Sequence, residues 1–177
     1  KLYRQAIKDK QLQSGNDFFP LAHLNLGEVY GKTGKISLAI NEWEKAIQQD
    51  PSLLPAHFNL GTALMMQGEF DRAEKYLLKC LEMNNKHEPA LFNLALVKQK
   101  QMHWKDSIDG FNNYMAVTGP KPTILTQIGF NYLNLKDLAN AQSFLEKSLR
   151  MLPTDMNTLI LLGDTLLAQG HSGKAED

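Results

Sequence analysis

Two histidines, His23 and His57, sit 34 residues apart in the same setting, Ala-His-x-Asn-Leu. Paired imidazoles can hold a transition metal, but a stable site needs at least a third protein ligand. The next positions on that step are Leu91 and Leu125, so both histidines read as core-edge residues and no metal is expected. Cys80 falls in a row of small residues, where a buried, inert thiol is expected rather than a nucleophile. His103 and His171 fall in turns without partners. No glycine-rich phosphate loop and no nucleophile–base pair is found. Neither catalysis nor a cofactor is therefore expected.

A row of carboxamides remains. Asn25, Asn59 and Asn93 recur at one step, and Gln127 takes the next. A carboxamide carries one acceptor and two donors. Such a row can pair with the C=O and N–H groups of an extended peptide of any sequence, or it can bond within the fold. Both readings stand at this level. Residues three and four apart share a helical face, which adds Phe58, Phe92, Phe130, Met65, Met66 and Leu96 as an apolar floor. Contiguous exposed apolar surface marks partner sites, and methionine adapts to irregular ligands; contact among these side chains would instead make them core. Glu28 and Lys32 form an ordinary helix-spaced surface pair on the same face.

The elements that carry these residues follow from the step. Small residues recur at Gly27, Gly61, Ala95, Gly129 and Gly163, and again at Ala39, Ala73, Ser107, Ala141 and Ala175. Pro51, Asn85, Gly119 and Pro153 close the repeats. The repeats are therefore 20–53, 54–87, 88–121 and 122–155, with a partial one over 156–177. Residues 1–19 read as the second helix of a preceding repeat plus a loop at Ser14–Asp17. A period of this length means stacked supersecondary units, each unable to bury its apolar face alone. Where two helices of a repeat cross closely, as at Gly61 and Ala73, one side chain must be minimal.

With these residues in register the chain resembles the tetratricopeptide-repeat family. The family's Leu-Gly, Tyr, Ala, aromatic, Ala, Pro pattern is met by Leu26, Gly27, Tyr30, Ala39, Trp43, Ala46 and Pro51. Residues 88–121 are degenerate, with Lys98 in the Tyr slot, Gly110 before Phe111, and Tyr114 for the small residue. The resemblance implies an all-α solenoid of helix–turn–helix units wound into a right-handed superhelix. It further implies a concave groove lined by the first helices, which carry the asparagine row and the Phe/Met floor, with Leu21, Leu24, Thr126, Asn134, Ile160, Leu161 and Asp164 beside them. The row resembles the asparagine ladder in the repeat arm of O-linked N-acetylglucosamine transferase. The family's carboxylate clamp needs Lys and Asn four apart in one first helix. The matching slots hold Leu24 and Glu28, Phe58 and Thr62, Phe92 and Leu96, and Thr126 and Phe130. Acidic chaperone tails are therefore not expected as ligands.

Composition narrows the partner class. The 177 residues carry 19 basic and 19 acidic side chains, which removes the clustered positive charge a nucleic-acid footprint needs. No apolar run approaches a membrane span. A single cysteine excludes an internal disulfide framework but leaves the compartment open, with the cytoplasm favoured. The first residue is not Met and the last residues fall just inside a second helix, so the chain reads as a fragment of a longer array. The expected function is a protein–protein interaction module that holds an extended peptide or partner segment in the groove. The alternatives are a scaffold or self-associating arm, stacking end to end, and a substrate-recruiting arm of an enzyme whose catalytic part is absent.

Overall fold

A computed structural model describes Leu2, Arg4, Gln5 and residues 19–170. Most of the helix expected over residues 1–13, the Ser14–Asp17 turn, and His171 and Ala175 lie outside the described residues. Among the described residues the helices are α1 (Pro20–Lys32), α2 (Ile36–Gln49), α3 (Leu54–Met66), α4 (Phe70–Met83), α5 (Glu88–Lys100), α6 (Trp104–Thr118), α7 (Pro122–Asn134), α8 (Leu138–Met151) and α9 (Met156–Ala168), with no strand. None is long and apolar enough to cross a membrane. Helix α6 is one residue longer than α2, α4 and α8, and the loop after it is one shorter than those after α2 and α4. The sequence step therefore survives the degenerate stretch.

Proline opens α1, α3 and α7, where its missing N–H is one the helix could not have bonded. The turns inside the helix pairs share one device. Lys35 N–H reaches Tyr30 C=O at 2.9 Å and Gly34 N–H reaches Gly31 C=O at 3.1 Å. Glu69, His103 and Asp137 repeat the longer bond to Leu64, Lys98 and Tyr132. This is the Schellman closure, and it requires a left-handed residue just past the helix. Gly34 and Gly68 supply it at φ 74° and 80°, whereas Met102 and Lys136 adopt φ 59° and 62° with full side chains.

The helices form two compact units, divided between Asn93 and Leu94 inside α5. In the first, α1 packs on α2, α2 on α3 and α3 on α4. Tyr30, Trp43, Leu60, Leu64 and Leu77 make up much of its core, and each such side chain stabilises by roughly 1.5–3 kcal/mol when buried. Arg4 donates to the Tyr30 hydroxyl and lies over its ring. Close approach explains the glycine row. A Cβ on Gly27 would lie 2.4 Å from Trp43 Nε1, and one on Gly61 would lie 3.0 Å from Leu77 Cγ and 3.3 Å from the Ala73 carbonyl oxygen.

In the second unit α6 packs on α7, α7 on α8 and α8 on α9. Gly129 lies against Leu145 as Gly61 does against Leu77, with a Cβ placed 2.7 Å from Leu145 Cγ. The degenerate stretch solves the same problem in reverse. Ala95 replaces the glycine, and Gly110 on the facing helix makes room for it: a Cβ on Gly110 would lie 2.9 Å from the Ala95 Cβ. The large Phe111 ring is fully buried beside that contact. Gly163 differs, because no atom of the described residues lies within 4 Å of where its Cβ would be.

Candidate partner-binding face

In the first unit the row residues lie on α1, α3 and α5, and all three are half-buried. Asn93 Nδ2 donates to Thr62 Oγ1 at 2.9 Å, so one amide of the row bonds inside the stack. Asn25 and Asn59 make no side-chain hydrogen bond among the described residues. Phe58 and Phe92 are half-buried, and the Phe58 ring meets His87 edge-on at 5.1 Å. Met65 is half-buried, while Met66 is 73% exposed. Glu28 is half-buried and Lys32 exposed. Leu24, expected on this face, is instead buried in the core.

The second unit holds a cavity of about 430 Å³, in which Trp104, Phe130, Met102 and Leu161 supply apolar surface. Gln99, Thr126, Gln127, Asn157 and Lys100 supply the polar groups. The Trp104 and Phe130 rings meet edge-on at 5.9 Å. Leu96, also assigned to the floor, is half-buried. Thr126, expected to be open to a partner, is buried. Its hydroxyl lies 2.9 Å from Ser148 Oγ and 2.6 Å from Thr158 Oγ1 and donates to Pro122 C=O at 3.0 Å.

A directed hydrogen-bond chain runs behind the cavity. Ser107 Oγ donates to Ala95 C=O at 2.9 Å, and Asn131 Nδ2 donates to Ser107 Oγ at 2.9 Å. Gln99 Nε2 then donates to Asn131 Oδ1 at 2.8 Å and to Gln127 Oε1 at 2.9 Å. A backbone carbonyl can only accept, so the Ala95 oxygen sets the direction of every bond in the chain. Ser107 spends its one proton there and must accept from Asn131. Asn131 must in turn accept from Gln99, and Gln127 from the same amide. Gln127 is left with its NH₂ donors unspent beside the cavity.

Gln99, Met102, Trp104, Asn131 and Asn157 were absent from the candidate residues read off the sequence. A signal existed for two of them. Asn131 takes the slot of Ala63 and Val97, and Gln99 that of Met65 and Leu133, so each is a polar residue in an apolar row.

The histidines have separate partners. His23 Nδ1 is 2.6 Å from Glu42 Oε2. Burial would raise the Glu42 carboxyl, but hydrogen bonds and charge from His23 and Lys45 outweigh it and hold the group below its ordinary range. His57 Nε2 donates to Pro51 C=O at 3.0 Å, while Nδ1 is buried without a partner. Burial lowers the His57 pKa. Among the described residues no three His, Cys, Asp or Glu side chains cluster as metal ligands would. Cys80 is buried and its thiol is pushed up to about 11 by desolvation, the opposite of what a nucleophile needs.

Family models described as TPR repeat and tetratricopeptide repeat match residues 27–68, 55–87 and 122–155. A lipopolysaccharide assembly protein B from Haemophilus influenzae is 25% identical, over 98% of this chain and 45% of that protein. The chain thus spans less than half the length of the curated relatives it matches. A Drosophila melanogaster protein named protein O-mannosyl-transferase Tmtc3 is 31% identical, over 55% of this chain and 11% of that protein. The crystal structure of YrrB, described as a TPR protein with an unusual peptide-binding site, matches at a TM-score of 0.81. Its identity is 16%, over 99% of this chain and 87% of that one, a likeness of fold.

Proposed function

This chain belongs to the tetratricopeptide-repeat family, and on that premise we propose that the exposed face of its first helices binds an extended peptide or partner segment through backbone amides. The repeats make it a protein–protein interaction module built as an all-α solenoid. The observation that carries the finer reading is the state of Asn25 and Asn59. Each is half-buried, both occupy one slot of the repeat, and neither amide has a hydrogen-bond partner among the described residues. Neither amide is among the buried groups that lack a partner, so both stay open to solvent, and a passing peptide backbone can satisfy donor and acceptor together. Lys32 and Met66, seven residues after Asn25 and Asn59 respectively on the same helices, are exposed. No catalytic role is assigned to the chain.

The test is binding of an array of short labelled peptides by fluorescence anisotropy, to the parent and to the Asn25→Ala/Asn59→Ala variant. Two lost hydrogen bonds should weaken binding about tenfold or more across sequences. Unchanged binding by the folded variant overturns the reading. A second reading, a recruiting arm for an enzyme, is favoured by the 31% identity to part of the O-mannosyl-transferase.

A further inference from the structure

We infer that the cavity between Trp104, Phe130 and Gln127 is a specificity pocket for a peptide segment in which a large apolar side chain adjoins a carboxylate. This rests on the reading that the first helices take extended peptides, and it names what the second unit selects.

Three independent features support it. The first is shape and surface. At about 430 Å³ the cavity is within the range of a built ligand site. An edge-on Trp104–Phe130 pair gives it a rigid aromatic wall, the kind of surface that anchors an apolar side chain.

The second is its polarity. The Ala95 carbonyl directs the Ser107–Asn131–Gln99 chain so that Gln127 accepts behind and keeps its NH₂ to give. Lys100 is exposed, and it is the one charged side chain among the lining residues. Donors plus one cation, with no lining carboxylate, complement an acceptor-rich anionic group beside the apolar anchor.

The third is Met102. It is 70% exposed at the cavity while its backbone takes the left-handed turn conformation, φ 59°. Gly34 and Gly68 occupy two equivalent turns, and Lys136 holds a third at φ 62° with a full side chain, so the backbone conformation by itself does not mark the site. What sets Met102 apart is an exposed, adaptable thioether lining the cavity, which can close over an incoming side chain.

The experiment uses the full chain and three short labelled Gly/Ser peptides, with a central Phe-Glu, Phe-Lys or Ala-Glu pair. Phe-Glu should bind about fivefold tighter than Phe-Lys, as expected for a partly exposed charge pair. It should bind at least about tenfold tighter than Ala-Glu. Lys100→Glu, on an exposed residue, should reverse the Glu-over-Lys preference with helicity unchanged. Trp104→Ala, checked for folding by circular dichroism, should remove the advantage of Phe over Ala. Equal binding of Phe-Glu and Phe-Lys, or a preference unmoved by Lys100→Glu, overturns the pocket. If array peptides lose affinity on Asn25→Ala/Asn59→Ala but ignore Lys100→Glu, the pocket fails and the broader reading stands. If no peptide binds the parent, both fail. A concentration-dependent dimer abolished by Lys100→Glu would make a second copy the occupant and overturn the peptide assignment.

Discussion

Gln99 Nε2 donates to Asn131 Oδ1 at 2.8 Å, joining a half-buried amide on α5 to a fully buried one on α7. The bond ties a surface property, which way Gln127 points its donors, to a buried carbonyl at Ala95. Changes in this core should therefore be read both as stability and as polarity at the cavity.

Asn131→Val restores the apolar residue of the matching slot but removes the donor to Ser107 and one acceptor of Gln99, which keep only their bonds to Ala95 C=O and Gln127. It is expected to cost about 1–3 kcal/mol, the penalty for buried polar groups left unpaired. Adding Ser107→Ala, the residue of the other repeats, should recover part of the loss, since removing both partners is cheaper than removing one. Urea denaturation of the two single variants and the double variant measures the coupling. Additive costs would mean the chain is not a unit.

Gly129→Ala and Gly163→Ala should act in opposite directions. The first drives a methyl to 2.7 Å from Leu145 Cγ, while the second meets nothing within 4 Å among the described residues. Overpacking should destabilise the Gly129 variant by about 1–3 kcal/mol. The Gly163 variant should gain about 0.5–1 kcal/mol from helix propensity. Thermal melts of the two proteins separate close packing from backbone preference.

Lys136→Gly should stabilise the chain by about 0.5–1 kcal/mol, the left-handed strain relieved less the entropy of glycine. Met102→Gly should gain the same stability, since both residues hold the left-handed turn. If the pocket assignment holds, only Met102→Gly also weakens the Phe-Glu peptide. A parallel loss in Lys136→Gly would make the effect one of turn geometry rather than of the side chain.

Acid should destabilise the fold in two stages. The folded-state pKa of His57 is lowered from 6.5 by burial. The unfolded chain therefore takes up this proton first, and the associated stability is complete above pH 6.5 and lost as pH falls through the folded value. Protonation would also place a donor on the buried, unpartnered Nδ1. Glu42 is likewise lowered, from 4.5, so its contribution is present above that pH and lost below it. Denaturant melts from pH 7.5 to 4 should show the first loss in the parent and not in His57→Leu, which installs the residue found at Leu91 and Leu125. The same first loss in His57→Leu would assign it to another group.

The repeat step, the helix pairs and the small-residue rows were legible without coordinates, because they are properties of neighbouring turns and neighbouring helices. A residue such as Gly61 recurs wherever one helix must approach the next, and the close Leu77 and Ala73 contacts give the reason. Even the degenerate stretch kept its step, with Gly110 taking over the role of the missing glycine beside Ala95.

Which side chains are left open was decided only by tertiary packing. Leu24 and Thr126 share a slot with Phe58 and Phe92, yet the first pair is buried and the second half-buried. A helical face is a continuous arc, and the helix packed beside it decides where on that arc shielding stops. The direction of the Ala95–Ser107–Asn131–Gln99–Gln127 chain likewise spans three helices. Sequence alone showed polar residues in apolar rows. Their meeting, and hence the donors offered at the cavity, depends on distances between helices, which no local pattern encodes.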